Sequence, residues 1–217
     1  MKNVIFDLDL TLLDTLDDLK EAMNYVLRTF GFPERTKTEI NSFIGNGIRK
    51  LITRSLPTGS SEELIEKGVL LFRTYYKEHM MVYTKPYDGI IDMLMELKQH
   101  GFKLGVASNK DDFAVNILCD KYFKGIFDGI SGSSDIIKTK PNPDMVLNVL
   151  QKMNEKEAIY VGDSEVDAET AQNSGLNAIL VSYGSRTREQ LEKFGFEIVD
   201  SVEELKNLLF SKNSRQL

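Results

Sequence analysis

A chain of 217 residues, 41% hydrophobic and 28% charged, is long enough to bury a sizeable core and has the composition of an ordinary globular protein. Its 27 basic against 33 acidic residues give a net charge of −6, which excludes a dedicated nucleic-acid surface and favours a small ligand captured by a local positive site. A single cysteine, Cys119, excludes a disulfide framework and reads as a buried, inert thiol. With no charged leader, apolar signal core or bilayer-length apolar stretch, the expectation is a cytoplasmic protein without a membrane partner, as a monomer or homodimer.

In chain order, the first predicted element is a strand over 4–6, an apolar run that stops at Asp7 and Asp9 and is followed by the hydroxyl of Thr11. So short an apolar run reads as a strand buried on both faces of a parallel sheet. Residues two apart in a strand share a face, so Asp7 and Asp9 would stand together at its C-terminal edge, where open α/β sheets bind ligands. Two like charges there repel unless a cation or a shared proton relieves them; the plainer alternative is an acidic turn or helix cap. Leu16, Leu19, Met23, Val26, Leu27 and Phe30 then recur at helical spacing up to Gly31. Two more helical patterns follow, one through Ile48, Leu51, Ile52 and Leu56 to Pro57, the other from a capping box at Ser60 and Glu63 to Tyr76.

From Pro86 the pattern alternates: helix 90–97, strand 102–107, helix 113–122, strand 127–130, helix 145–150, strand 158–161, helix 166–171, strand 177–181, and helices near Leu191 and over 202–210. Such alternation implies parallel strands joined by right-handed crossovers. The expected fold is therefore α/β, a Rossmann-like parallel sheet core of residues 1–14 and 82–217 with an inserted all-helical cap domain of residues 15–81. The tail from Ser211 is expected to fray.

Three further polar clusters follow apolar strands at the same predicted edge. Ser108, Asn109 and Lys110 offer a hydroxyl, an amide and backbone N–H groups at a helix start, which suits an anion or an ordinary cap. Lys140 lies in a Lys, Pro, Asn, Pro stretch whose prolines stiffen the backbone and present the ammonium in a fixed place; the alternative is a solvated surface lysine. Asp163 follows the strand over 158–161, with Asp167 four residues on, and both acids suit either a metal or a helix cap.

Jointly, Asp7 and Asp163 with carbonyl and water oxygens make a hard-oxygen site suited to Mg²⁺, and no His or Cys cluster offers a zinc or iron alternative. A phosphate there would face the metal on one side and Ser108, Asn109 and Lys140 on the other. Asp7 can then attack phosphorus, while Asp9 protonates the leaving alcohol and later deprotonates the hydrolytic water.

The segments Asp7 to Thr11, Ser108 to Lys110, Lys140 with Pro141, and Gly162 with Asp163 and Asp167 resemble, in order, the four motifs of the haloacid dehalogenase-like hydrolase superfamily. The helical insert sits where that superfamily carries its cap, so the resemblance covers essentially the whole chain. Phe43 to Leu51 and Pro86 to Gly89 are similar to segments of phosphoglycolate phosphatase-like members. The resemblance implies a phosphatase for a small phosphorylated metabolite. Asp7 is then the nucleophile of an aspartyl-phosphate mechanism and Asp9 the acid/base. Asp7, the Asp9 carbonyl and Asp163 are metal ligands, with Asp167 ligating or supporting, and Ser108 and Lys140 contact phosphate.

Thr11 and Asn109 join the expected substrate-binding set. Leu10 stands where most such phosphatases have glycine. In the cap, Gly45, Asn46 and Gly47 can bring backbone close to a ligand, with Arg49 as a cation for a substrate carboxylate or second phosphate; a Gly-flanked helix start with a solvated arginine is the alternative. A phosphomutase or pyrophosphatase on the same scaffold is the nearer rival, although family mutases tend to carry an aliphatic residue where this chain has Thr11. A phospho-aspartate signalling receiver is the rival from another class, and it has no need of a helical lid.

Overall fold

The computed structural model describes residues 2–214. In chain order its elements are β1 (Asn3–Phe6), β2 (Leu13–Asp14), α1 (Leu16–Phe30), α2 (Lys37–Phe43), α3 (Ile48–Ser55), α4 (Glu62–His79), β3 (Lys85–Pro86), α5 (Ile90–Gln99) and β4 (Lys103–Asp111). There follow α6 (Asp112–Phe123), β5 (Gly129–Ser133), α7 (Asp144–Met153), β6 (Ile159–Gly162), α8 (Glu165–Ser174), β7 (Asn177–Val181), α9 (Arg188–Leu191), β8 (Glu197–Val199) and α10 (Val202–Ser214). They form two compact units, one from the chain up to Leu13 together with the chain from Pro86 onward, the other from Asp14 to Lys85.

The first unit is built on a six-stranded sheet of order β5-β4-β1-β6-β7-β8. Its ladders are parallel throughout. The chain winds outward from β1 through β4 to β5, then returns to β6 on the other side of β1 and winds outward again. That reversal beside β1 is the switch point at which doubly wound sheets open a crevice beyond their C-terminal strand ends. The apolar run over 4–6 is fully buried, as a central strand covered on both faces must be. Ile5, Ala107 and Tyr160 pack with Met145, Val146, Val149 and Met153 of α7, so the three strands that carry polar residues at their ends share one apolar floor. Cys119 is buried and its thiol is pushed up to about 12 by burial, consistent with an inert side chain.

The second unit is all-helical. Gly31 ends α1 in the left-handed region at φ 75°, as its sequence position predicts. The buried carbonyl and amide of Asn24 clamp the backbone of Arg35 (2.9 and 3.0 Å), which sets the turn into α2. At Gly68 a Cβ would lie 2.9 Å from Ile52, so α4 approaches α3 as closely as it does because residue 68 has no side chain. Asp18, buried in the first turn of α1, accepts from the backbone N–H groups of Tyr83 (3.0 Å) and Thr84 (2.8 Å). The chain passes between the units along β2 and β3, which pair as a two-stranded ribbon.

Several elements differ from the sequence reading. The helix α2 goes unread because only Ile40 of its seven residues is buried; its capping box at Thr36 and Glu39 is the signal that was present. The cap of α4 is Ser61, whose hydroxyl accepts from Leu64 N–H, not Ser60. Strand β4 runs on to Asp111, β5 lies at 129–133, and β8 is a three-residue edge strand without enough apolar length to register. Residues 211–214 continue α10 instead of fraying, and residues 215–217 lie outside the described residues. Among the described residues no helix is long and apolar enough to cross a membrane.

Candidate active site

The register of the three central strands assembles the site. Phe6 lies level with Val106 of β4 and Val161 of β6, and Asp7 N–H continues the ladder to the Val161 carbonyl at 2.8 Å. Asp7 and Asp163 therefore emerge at adjacent strand ends, and Ser108 lies in β4 where its pairing with β5 is interrupted, between Ala107 and Asp111. Lys140 arrives from the segment between β5 and α7, and its ammonium lies 3.0 Å from Asp7 and 2.8 Å from Asp167. The sequence left open a solvated lysine here; the side chain is instead 1% exposed. Asn109 explains the placement, since its side-chain carbonyl accepts from Lys140 N–H (2.7 Å) and its amide donates to the Lys140 carbonyl (3.0 Å).

Oxygens of Asp7, Asp163 and Asp167 lie within 4.8 Å of one another, and Lys140 is the ammonium paired among them. With all three ionised, these carboxylates against one ammonium would leave two negative charges in a buried pocket. Burial pushes Asp7 up to about 8, Lys140 opposing the shift and Asp167 and Asp163 adding to it. Asp163 is pushed up to about 6, by burial first and then by Asp167, against the Ser185 hydrogen bonds. Although burial acts to raise it, Asp167 is held below the usual carboxylate range by Lys140 and by the hydroxyls of Ser164 and Tyr160. Two uncompensated charges on oxygen donors are what a hard divalent cation neutralises, so the residues present fit one.

Asp167 spends its oxygens on the protein. Beyond Lys140 it accepts from the Tyr160 hydroxyl (3.0 Å), the Ser164 hydroxyl (2.6 Å) and the backbone N–H groups of Ser164 (3.1 Å) and Asp163 (3.2 Å). A Cβ at Gly162 would stand 2.3 Å from its carboxyl carbon, so glycine at the end of β6 is what admits Asp167 beneath the strand. Tyr160 was missed by the sequence reading; its signal is a hydroxyl inside an otherwise aliphatic buried strand, which needs a partner.

The expectation that Asp7 and Asp9 share a strand face does not hold. Strand β1 ends at Phe6, and the Leu8 carbonyl accepts from Leu12 N–H and Leu13 N–H, both at 3.0 Å, folding the backbone into a tight turn. Leu10 takes φ 58° within it, which costs a non-glycine residue about 1–2 kcal/mol; its side chain is buried. Asp9 is therefore oriented by the turn and not by a strand pleat, and Lys110 meets both its oxygens at 2.8 and 3.1 Å. Thr11, expected to touch substrate, is fully buried and donates to Asp163 at 3.2 Å. Asn109, expected likewise, spends its amide on the Lys140 backbone.

The segment after β7 closes the far side. Ser185 N–H donates to Asp163 at 2.7 Å, and the Tyr183 hydroxyl donates to the Thr11 carbonyl at 3.1 Å. A Cβ at Gly184 would lie 2.4 Å from the Leu10 carbonyl and 2.5 Å from the Asp163 Cβ. Gly184→Ala is therefore expected to cost about 1–3 kcal/mol and to displace Asp163, read as a lower thermal midpoint. An unchanged melting curve would mean that the loop yields freely.

In the helical unit, Gly45 and Gly47 take φ 102° and 81°, and Gly47 precedes α3 as its cap. Arg49 pairs with Glu62 and Glu66 of α4.

Residues 4–181 match the family model described as haloacid dehalogenase-like hydrolase. The chain is 36% identical over 187 residues to a phosphoglycolate phosphatase of Aquifex aeolicus, covering 85% of this chain and 86% of the relative. It is 33% identical to the phosphoglycolate phosphatase of Nitrosospira multiformis, with 96% of each chain covered. In structure it is similar to a Lactobacillus delbrueckii protein proposed to be a phosphoglycolate phosphatase, with a TM-score of 0.91, 33% identity, and coverage of 96% of this chain and 98% of that one.

Proposed function

The chain belongs to the haloacid dehalogenase-like hydrolase family and is a phosphatase, and on that premise we propose that it hydrolyses a small phosphorylated acid of the phosphoglycolate type through an aspartyl-phosphate. The observation that carries this reading is the buried cluster of Asp7, Asp163, Asp167 and Lys140 at the sheet's switch point. It pairs a nucleophile with a site for a hard cation, as phosphoryl transfer requires.

Asp7 and Asp163, together with the Asp9 carbonyl, would hold Mg²⁺, and Asp167 would support them through Lys140 and the Asp163 backbone. When bound, the ion supplies positive charge against the transferring phosphoryl group. Lys140 and Ser108 hold the phosphate oxygens. A carboxylate oxygen of Asp7 bonds to phosphorus as the bond from phosphorus to the ester oxygen breaks, and Asp9 gives its proton to the departing alcohol. Water then attacks phosphorus, Asp9 takes its proton, and the bond to Asp7 breaks to release phosphate. A switch protein would retain the phosphoryl group and a mutase would return it to substrate, so rapid release of inorganic phosphate separates this reading from both. In the helical unit, Arg49 with Gly45, Asn46 and Gly47 is assigned the substrate's carboxylate, in competition with Glu62 and Glu66.

The test is phosphate release from a panel of phosphorylated metabolites, with Mg²⁺ and with chelator. The expected result is Mg²⁺-dependent turnover that favours 2-phosphoglycolate over p-nitrophenyl phosphate, a preference that Arg49→Ala narrows. No release from any ester in the panel would refute the phosphatase reading. A preference that survives Arg49→Ala would refute the arginine assignment alone.

A further inference from the structure

Resting on that reading of Asp9 as acid/base, we propose that Lys110 is the positioning residue that aims the Asp9 carboxyl at the leaving group. A strand would have aimed Asp9 by its pleat, but the backbone has left strand geometry before Asp9 and turns through Leu10 at φ 58°. The side chain needs another constraint. Lys110 supplies it from β4, where the ladder with β5 resumes at Asp111. Its ammonium reaches both oxygens of Asp9, at 2.8 and 3.1 Å, which fixes both side-chain torsions of the aspartate at once.

Burial separates this contact from an ordinary surface pair. The Lys110 side chain is 3% exposed whereas Asp9 retains 22%, so the cation is enclosed by protein and the carboxyl is the partner still open to an incoming group. The Lys110 backbone N–H, in turn, lies 3.4 Å from the Ser108 hydroxyl, so one residue is tied to the expected phosphate contact and to the expected proton donor.

The role has a kinetic signature. In the first step the bond from Asp7 to phosphorus forms, the ester bond breaks, and the Asp9 proton moves to the departing oxygen; an alkyl leaving group needs that proton and p-nitrophenolate does not. Lys110→Met is therefore expected to lower kcat/KM on 2-phosphoglycolate by roughly 10²-fold, the scale of a misplaced catalytic group, and on p-nitrophenyl phosphate by only a few-fold. The inhibition constant for inorganic phosphate should be unchanged. Lys110→Arg should restore most of the loss, and Lys110→Met should cost nothing further in an Asp9→Asn background. That double variant removes both charges and stays informative if Lys110→Met alone does not fold.

Equal losses on both substrates with weaker phosphate inhibition would make Lys110 a phosphate contact and overturn the proposal. Losses that add to those of Asp9→Asn would show that it acts elsewhere, and a gain in rate would make it a resting clasp; either overturns the proposal. Should Asp9→Asn itself lose equally on both substrates, the acid/base reading falls and the proposal with it, an outcome distinct from failure of Lys110 alone.

Discussion

Asp7→Asn is expected to abolish turnover while leaving the fold intact. The amide is isosteric but cannot attack phosphorus, and removal of a nucleophile typically costs on the order of 10⁴-fold or more. Stability should move the other way. The Asp7 carboxyl is held at about 8 against an ordinary value of 3.8, chiefly by burial. A pKa raised by folding gives stability that is fully present below the unfolded value and is lost as pH rises through the folded one. In metal-free buffer the wild type thus loses this contribution between about pH 4 and pH 8, whereas the asparagine variant has no proton to lose. The difference in thermal midpoint, variant minus wild type, should grow across that window. Near wild-type activity in a sample checked for deamidation would remove Asp7 from the mechanism, and a flat difference curve would mean that a neighbouring group holds the proton.

Lys140→Met should give the largest loss of stability. Its ammonium is 1% exposed and pairs with Asp7 at 3.0 Å and Asp167 at 2.8 Å, with the Tyr160 hydroxyl at 2.9 Å. Removing one partner from a buried ion cluster leaves uncompensated charge, at a cost of roughly 3–5 kcal/mol, or about 10 °C in thermal midpoint for a chain this size. Asp167 is held below its ordinary range by that ammonium among other donors, so its wild-type contribution is present above the unfolded carboxylate range and lost as pH falls. Without Lys140 that contribution disappears and the carboxylates must take up protons instead. The deficit should be greatest above neutrality and shrink in acid, and Lys140→Met with Asp167→Asn should recover part of it. A variant that melts with the wild type at pH 8 would show that the cluster is hydrated in solution.

What could be read from sequence divides along physical lines. The sheet was legible because central parallel strands are buried on both faces and appear as uninterrupted apolar runs, and because each run ends abruptly in polar residues at the edge where ligands bind. Edge strand β8 and helix α2 bury too little to leave a period. The carboxylates declared themselves because a charge at the end of an apolar run has few structural reasons to be there. The supporting groups did not: Tyr160, Lys110 and Gly184 are defined by what they meet across the fold, through partners 7, 101 and 21 positions away for Tyr160 with Asp167, Lys110 with Asp9 and Gly184 with Asp163. Thr11 and Asn109 illustrate a related limit, since residue type announces a hydrogen-bonding group without saying that Asp163 and the Lys140 backbone will engage it.

The carboxylate of Asp18 carries a consequence for how such a chain can change over time. By accepting from Tyr83 and Thr84 it ties the start of the helical segment to its end within the segment itself, so the remainder of the chain meets two adjoining ends instead of a long detour. A segment closed in this way behaves as a cassette. It can be lengthened, shortened or exchanged for another of different sequence while the register of β1 against β4 and β6 stays as it is. Recombination and drift can then remodel residues 14–85 at their own pace, without reopening the problem of placing three carboxylates around one ammonium.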